Sequence, residues 1–203
     1  YPDSQDKGNL TVSGDFLPLA SPRFESGPPG FESIELPRLV DRAIRSAEMI
    51  DLAKLVIKEG EKVWTVSIDI YPINDDGNLV DAATLAATLA LQQTYIPTLD
   101  ESGRPDYKNL TNKKLPLSDE TVSLSISFYK LGSSIILDPT REEEEACDAR
   151  ITFGVSLLNG ELMINSCQKG GEAVFSQEEI SKMMDFIPEK FKELNEKLKT
   201  YFS

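Results

Sequence analysis

The segment from Lys62 to Gln92 constrains this 203-residue chain more than any other. Trp64, Val66, Ile68 and Ile70 alternate with Thr65, Ser67 and Asp69, the period-two pattern of a strand with one buried face. From Val80 to Gln92 the pattern becomes helical, with small residues at Ala82, Ala83, Ala86, Ala87 and Ala90 that suit close packing on a sheet. The junction between them, Asp75-Asp76-Gly77-Asn78-Leu79-Val80-Asp81, is informative for what it lacks. The N–H groups that open a helix point outward with partial positive charge and attract anions. Phosphate sites at such junctions add glycines, a hydroxyl and a lysine or arginine. Here there are three aspartates, one glycine and two apolar residues, and Asp76 or Asn78 is expected to cap the helix and consume its donors. The junction reads as a capped helix that repels phosphate.

Charge and composition exclude several functions. The chain contains no histidine, which rules out Ser-His-Asp, Cys-His and histidine general-base chemistry within it. A net charge of −13 argues against coating nucleic acid with the whole surface and leaves only a local basic patch for that purpose. Cys147 and Cys167 are too few for a disulfide framework or a zinc site and read as reduced, mostly buried side chains. No apolar run approaches the roughly 20 residues of a membrane helix. The first residues, Tyr1-Pro2-Asp3-Ser4, carry no signal-peptide pattern, so a cytoplasmic protein without membrane partners is the expectation.

The rest of the chain reads as alternating strand and helix blocks. A turn over Tyr1 to Gly8 leads to a strand from Asn9 to about Leu17, then a Pro/Gly-rich loop from Ser21 to Gly30. A helix from about Glu32 to Ala47 tolerates Pro37 in its first turns. Its apolar face comprises Leu36, Leu39, Val40, Ala43, Ile44 and Ala47, continued by Ile50. Strands follow at Leu55 to Ile57 and Val63 to Ile73. Thr98 to Leu115 is polar, with Gly103 and Pro105, and reads as a mobile excursion. Four short strands are predicted near 121–129, 133–137, 149–157 and 161–167, with a hairpin turn at Leu158-Asn159-Gly160-Glu161. Ser176 and Glu179 form a capping box for a last helix. That helix is expected to turn Ile180, Met183, Met184, Ile187, Phe191, Leu194 and Leu198 inward, with a kink near Pro188.

Three segments, Leu17-Pro18-Leu19-Ala20-Ser21-Pro22, Ile34 to Arg45 and Lys62 to Ala90, resemble the ring-forming subunits of the RNase PH family. The chain is most similar to the branch formed by the non-catalytic RNase PH-like subunit of the archaeal exosome. The resemblance implies an α+β, RNase PH-like fold of mixed sheets with helices packed on them, lacking its N-terminal strands and helix. It also implies one domain built of two β-α blocks, 1–97 and 98–203. The catalytic branch carries Gly-Gly-Thr-Arg where this chain has Gly77, Asn78, Leu79 and Val80, and its counterpart of the Ser21–Gly30 loop is arginine-rich where this one holds only Arg23. The phosphate-holding threonine and arginine are both absent.

Arg38, Arg42 and Arg45 recur at i, i+4 and i+7 along the polar side of the first helix. On spacing alone they are a solvated face paired with Glu35, Asp41 and Glu48. The segment Arg38-Leu39-Val40-Asp41-Arg42 is similar to the family's Arg-x-x-Asp-Arg stretch, which implies RNA contact by Arg38 and Arg42 and more weakly by Arg45. Asp138 and Asp148 fall where RNase PH enzymes carry acidic active-site residues. Without a phosphate cradle they read as a turn cap and a strand opener, and Glu142 to Glu145 as a solvated short helix. No metal or other cofactor is expected. The implied partners are a catalytic RNase PH-like exosome subunit in an alternating ring of six, RNA-binding cap proteins and single-stranded RNA. Three readings stay open: a non-catalytic ring subunit, a phosphorolytic 3'-to-5' exoribonuclease or nucleotidyltransferase in its own right, and a purely structural interaction module.

Overall fold

A computed structural model describes residues 4–25, 27–118, 121–158 and 160–200. β1 (Asn9–Gly14) leads through the proline-rich loop into α1 (Phe31–Ser46). A 3-10 turn over Leu52–Leu55 precedes β2 (Val56–Lys58), β3 (Lys62–Val63) and β4 (Thr65–Ile70). After α2 (Leu79–Gln93) come β5 (Tyr95–Leu99), β6 (Pro105–Lys114), β7 (Val122–Leu131) and β8 (Ser134–Leu137). The short α3 (Arg141–Ala146), β9 (Ala149–Leu158), β10 (Glu161–Gly171) and α4 (Gln177–Thr200) complete the chain. This is the α+β arrangement expected from the sequence.

The elements stack in four layers. β1 and β4 pair in parallel, Asn9 opposite Thr65 through Gly14 opposite Ile70, with the crossover supplied by α1. On the outer face of that pair Thr11 and Ser67 share a hydrogen bond of 3.1 Å, and Ser13 Oγ donates to Asp69 at 2.5 Å. On the inner face Val12, Val66, Ile68 and Ile70 meet Leu36, Leu39, Val40 and Ile44 of α1. Each fully buried aliphatic side chain there contributes roughly 1.5–3 kcal/mol. The expected apolar face of α1 is therefore confirmed. The sheet beneath it is a two-stranded parallel pair, and α1 and α2 also pack against an antiparallel sheet on their other side.

The antiparallel sheet is the next layer, in the order β10-β9-β7-β8. α1 and α2 lie between the two sheets, and the serine-rich side of β7 explains how they fit. Ser123, Ser125 and Ser127 are buried small polar side chains that let the helices approach closely. Ser123 Oγ donates to the Ala43 carbonyl at 2.8 Å, and Ser125 and Thr84 share a hydrogen bond of 2.9 Å. The alternate residues Leu124, Ile126 and Phe128 face the other way and form a second core with Met183, Ile187 and Phe191 of α4. Met184 is 47 % exposed, so it stands outside the inward set predicted for that helix. The capping box is present, with Ser176 N to Glu179 at 2.7 Å and Glu179 N to Ser176 Oγ at 3.1 Å, and Pro188 lies inside a continuous helix.

The largest departure lies between α2 and β7. The segment read as a mobile excursion is an antiparallel hairpin of β5 with β6. β6 is polar and largely exposed on both sides, so no hydrophobic alternation marks it. Lys62 Nζ donates to the Gly103 carbonyl and ties the hairpin tip to β3. The turn at 158–161 closes the β9–β10 hairpin with Leu158 opposite Glu161 and Gly160 at φ +81°; Asn159 itself lies outside the described residues.

Candidate functional site

The junction that opens α2 is filled from within. Gly77 has φ +89°, and a Cβ there would come within 2.4 Å of the Pro139 carbonyl oxygen and 2.7 Å of Thr140 C. Only glycine lets the chain entering α3 lie directly on the junction. Asn78 holds the N-cap position in a left-handed conformation, φ 50° and ψ 39°, and its side chain accepts no hydrogen bond from the backbone of the first turn of α2. The expected side-chain cap from Asn78 is therefore absent. Its backbone N–H instead donates to Glu144 Oε2 at 3.0 Å, and its side-chain amide donates to Asp81 at 3.1 Å and Asp138 at 3.2 Å.

A second tier of hydrogen bonds fixes these carboxylates. The Tyr129 hydroxyl lies 2.9 Å from Glu144 Oε1 and 3.2 Å from Asn78 Oδ1. Asp81 accepts from Ser127 N at 3.0 Å and Ser127 Oγ at 2.7 Å, and that hydroxyl continues to Thr152 at 2.9 Å. Burial pushes the Asp81 carboxyl up to about 6, against the Ser127 and Asn78 hydrogen bonds that favour its ionised form, while the charge of Asp138 adds to the rise. Burial, then the neighbouring Glu144 charge, raises the Tyr129 phenol and keeps it a donor. Where a phosphate would need donors, one N–H is already committed and three carboxylates surround it. At an effective dielectric of 20, a unit negative charge about 4 Å from the Glu144 carboxylate is repelled by about 4 kcal/mol.

Positive charge beside the junction is equally committed. A hollow of about 220 Å³ holds Arg23, Arg141 and Arg150 around Leu79 and Val80. Arg23 binds Asp75 at 2.8 Å and Glu32 at 3.0 Å, and the Asp75 side chain is completely buried. Arg141 binds Glu145, and Arg150 binds Glu35, each at 3.0 Å.

The predicted acidic residues separate. Asp138 joins the Asn78 cluster, whereas Asp148 accepts from Gly132 N at 3.0 Å, pinning the β7–β8 turn immediately before β9. Glu142 to Glu145 form α3, opened by a Thr140–Glu143 capping box. Glu144 turns inward from that run, which the solvated-helix reading missed; four adjacent acids carry no signal for which one is buried. Among the described residues no group of three His, Cys, Asp or Glu side chains is placed to hold a metal ion. Cys147 is half-buried and Cys167 exposed, so the expectation of two mostly buried thiols fails for Cys167 on the edge strand β10.

The arginine stripe of α1 divides in two. Arg45 donates to Asp41 at 2.6 and 3.0 Å and to the Leu10 carbonyl at 2.9 Å, and so clasps β1. Arg38 and Arg42 are exposed and form no hydrogen bond or ion pair among the described residues. They line a shallow hollow of about 230 Å³ with Lys169 of β10, brought there because β10 runs alongside α1.

The profile of the "3' exoribonuclease family, domain 1" matches residues 1–97, and that of its domain 2 matches 121–186. The relatives are long matches. The exosome complex component Rrp42 of Methanothermobacter thermautotrophicus is 42 % identical over 199 residues, covering 98 % of this chain and 72 % of the relative. This chain belongs to the RNase PH family of 3' exoribonucleases. The Rrp42 of Thermoplasma acidophilum is 40 % identical over 197 residues, with 97 % and 71 % covered. Among solved RNase PH-like structures, the Archaeoglobus fulgidus exosome with RNA bound to the active site superimposes with a TM-score of 0.85. It is 38 % identical, with 97 % of this chain and 73 % of that one covered. An archaeal exosome core gives 0.81 at 34 % identity, with 98 % and 72 % covered. Rice Rrp46, at 16 % identity and a TM-score of 0.65 with 98 % and 75 % covered, shares the fold alone.

Proposed function

We propose that this chain is the non-catalytic RNase PH-like subunit of an archaeal exosome ring. It shapes the active site of an adjoining catalytic subunit and guides single-stranded RNA into it for 3'-to-5' phosphorolysis. The observation that carries this reading is the occupied junction. Phosphate is the nucleophile of phosphorolysis, and catalysis by electrostatic positioning needs donors aimed at it. Here Asn78 N is bound to Glu144, Arg23 to Asp75, and Leu79 and Val80 occupy the remaining positions. A phosphorolytic activity of its own is disfavoured for the same reason.

A second observation supports a role in RNA binding over a purely structural one. Arg38 and Arg42 are exposed cations with no carboxylate partner among the described residues, in a chain of net charge −13, and so remain available to phosphates. Arg45 contributes less because Asp41 and the Leu10 carbonyl hold it. The similarity to Rrp42 exosome components and to archaeal exosome structures supports this reading. The setting we propose is a cytoplasmic, six-membered ring in which this chain alternates with its catalytic paralogue, topped by RNA-binding cap proteins. Within it, blocks 1–97 and 98–203 act together as one RNase PH-like domain.

The test is a ring reconstituted with the catalytic paralogue and either the natural chain or Arg38→Glu/Arg42→Glu. The double variant assembles to the same mass but binds RNA weakly and loses processive degradation. Unchanged degradation over a range of salt would instead favour the structural module.

A further inference from the structure

The hollow that contains Arg38 and Arg42 has features that a merely basic strip does not need. Phe31, the first residue of α1, lies on its edge with 77 % of its surface exposed, and Ile34 beside it is 52 % exposed. Lys169 reaches the same hollow from β10, 127 or more residues away in sequence from either arginine. Its Nζ donates to the Gly171 carbonyl at 2.7 Å, a neutral acceptor that leaves its charge unbalanced. The one carboxylate in the hollow, Glu35, is held by Arg150 at 3.0 Å. That pair lies across Gly170, where a Cβ would stand 3.3 Å from the Arg150 guanidinium and 3.7 Å from Glu35. The hollow therefore combines three cations that have no carboxylate partner among the described residues, a neutralised acid and an accessible aromatic face.

We propose that this hollow is a single-nucleotide subsite in which Phe31 stacks on one base of a single-stranded RNA while Lys169 and Arg38 grip the phosphates on either side. The proposal rests on the reading that Arg38 and Arg42 contact RNA. Single-strand sites join a basic groove to aromatic platforms, because every base presents a π-face while the charges follow the backbone. A volume of about 230 Å³ fits one base and falls short of the roughly 300 Å³ at which pockets for whole small-molecule ligands begin. Because stacking ignores base identity, the subsite tolerates any sequence.

The experiment measures RNA binding to the assembled ring in phosphate-free buffer, by fluorescence anisotropy across a salt series. The chains compared are the natural one, Phe31→Ala, Phe31→Tyr, Lys169→Ala and Arg38→Glu/Arg42→Glu. Phe31→Ala should weaken binding by roughly 5- to 150-fold, the range for one stacked base, with an unchanged salt slope. Phe31→Tyr should bind as the natural chain does. Lys169→Ala should reduce the salt slope by about 0.7, the value for one phosphate contact to a single strand. One abasic nucleotide walked along the RNA should abolish the Phe31→Ala effect at a single position. The subsite is refuted if Phe31→Ala and Lys169→Ala bind normally while the arginine pair variant does not, an outcome that spares the RNA-binding reading. It is also refuted if Phe31→Ala breaks the ring by mass, because the hollow is then a subunit contact. Normal binding by the arginine pair variant as well would overturn both.

Discussion

Removing Arg23 should destabilise the protein far more than removing an ordinary surface arginine. Its Nε lies 2.8 Å from Asp75, whose side chain is fully buried, while Arg23 itself is 28 % exposed. Breaking a buried pair from one side costs about 3–5 kcal/mol, because the remaining charge has no partner. Two features reduce that figure here. Water can replace part of the exposed guanidinium, and Asp75 keeps an N–H contact from Gly77 at 3.4 Å. Arg23→Met should therefore cost about 2–3 kcal/mol. In a chain of this size that corresponds to a Tm lowered by about 4–12 °C. The double variant Arg23→Met/Asp75→Asn removes both charges and should recover much of the loss. Urea denaturation of the four proteins gives the coupling energy directly. If Arg23→Met costs less than about 0.5 kcal/mol, or the double variant loses the sum of the singles, Arg23 does not neutralise Asp75 and the junction is organised differently.

Asp81 gives a pH signature. Its carboxyl is raised from 3.8 to about 6 in the folded protein, so the folded state keeps a proton the unfolded chain releases. That contribution is complete below 3.8 and is lost as pH rises through about 6. Relative to Asp81→Asn, natural stability should fall by on the order of 3 kcal/mol between about pH 4 and about pH 7, and parallel urea profiles would contradict it. Arg45→Ala should cost about 1–2 kcal/mol, through the lost Leu10 carbonyl bond and the Asp41 pair. Arg38→Ala should stay within about 0.5 kcal/mol, and thermal unfolding of the two variants separates a clasp from a free cation.

Periodicity made the layers legible, and its absence hid the rest. The apolar face of α1 and the one-faced pattern from Trp64 to Ile70 were readable because each buries one side against a neighbour. The β5–β6 hairpin was not, since Tyr107 and Leu110 are exposed among polar residues, Pro97 lies inside β5 and Pro105 opens β6. At the site, the missing threonine and arginine were visible in the residues at Leu79 and Val80. What fills their place was not: Glu144 arrives from 66 residues away, and the left-handed Asn78 abandons the capping role its type suggests. Spacing alone does not distinguish Arg45 from Arg38; the Leu10 carbonyl of β1 and Asp41, which hold Arg45, do. Lys169 carries no local signal, since only the passage of β10 alongside α1 brings it to the arginines.

The central claim is that this chain guides RNA without catalysing its phosphorolysis. The direct measurement is release of nucleoside diphosphates from single-stranded RNA in the presence of inorganic phosphate. It is made on this chain alone, on its catalytic paralogue alone and on the assembled ring. The account predicts no release by this chain and release by the ring at a rate above that of the paralogue alone. Phosphate-dependent release by this chain alone, abolished by Asp138→Ala or Asp148→Ala, would show that the filled junction is a working active site and contradict the account.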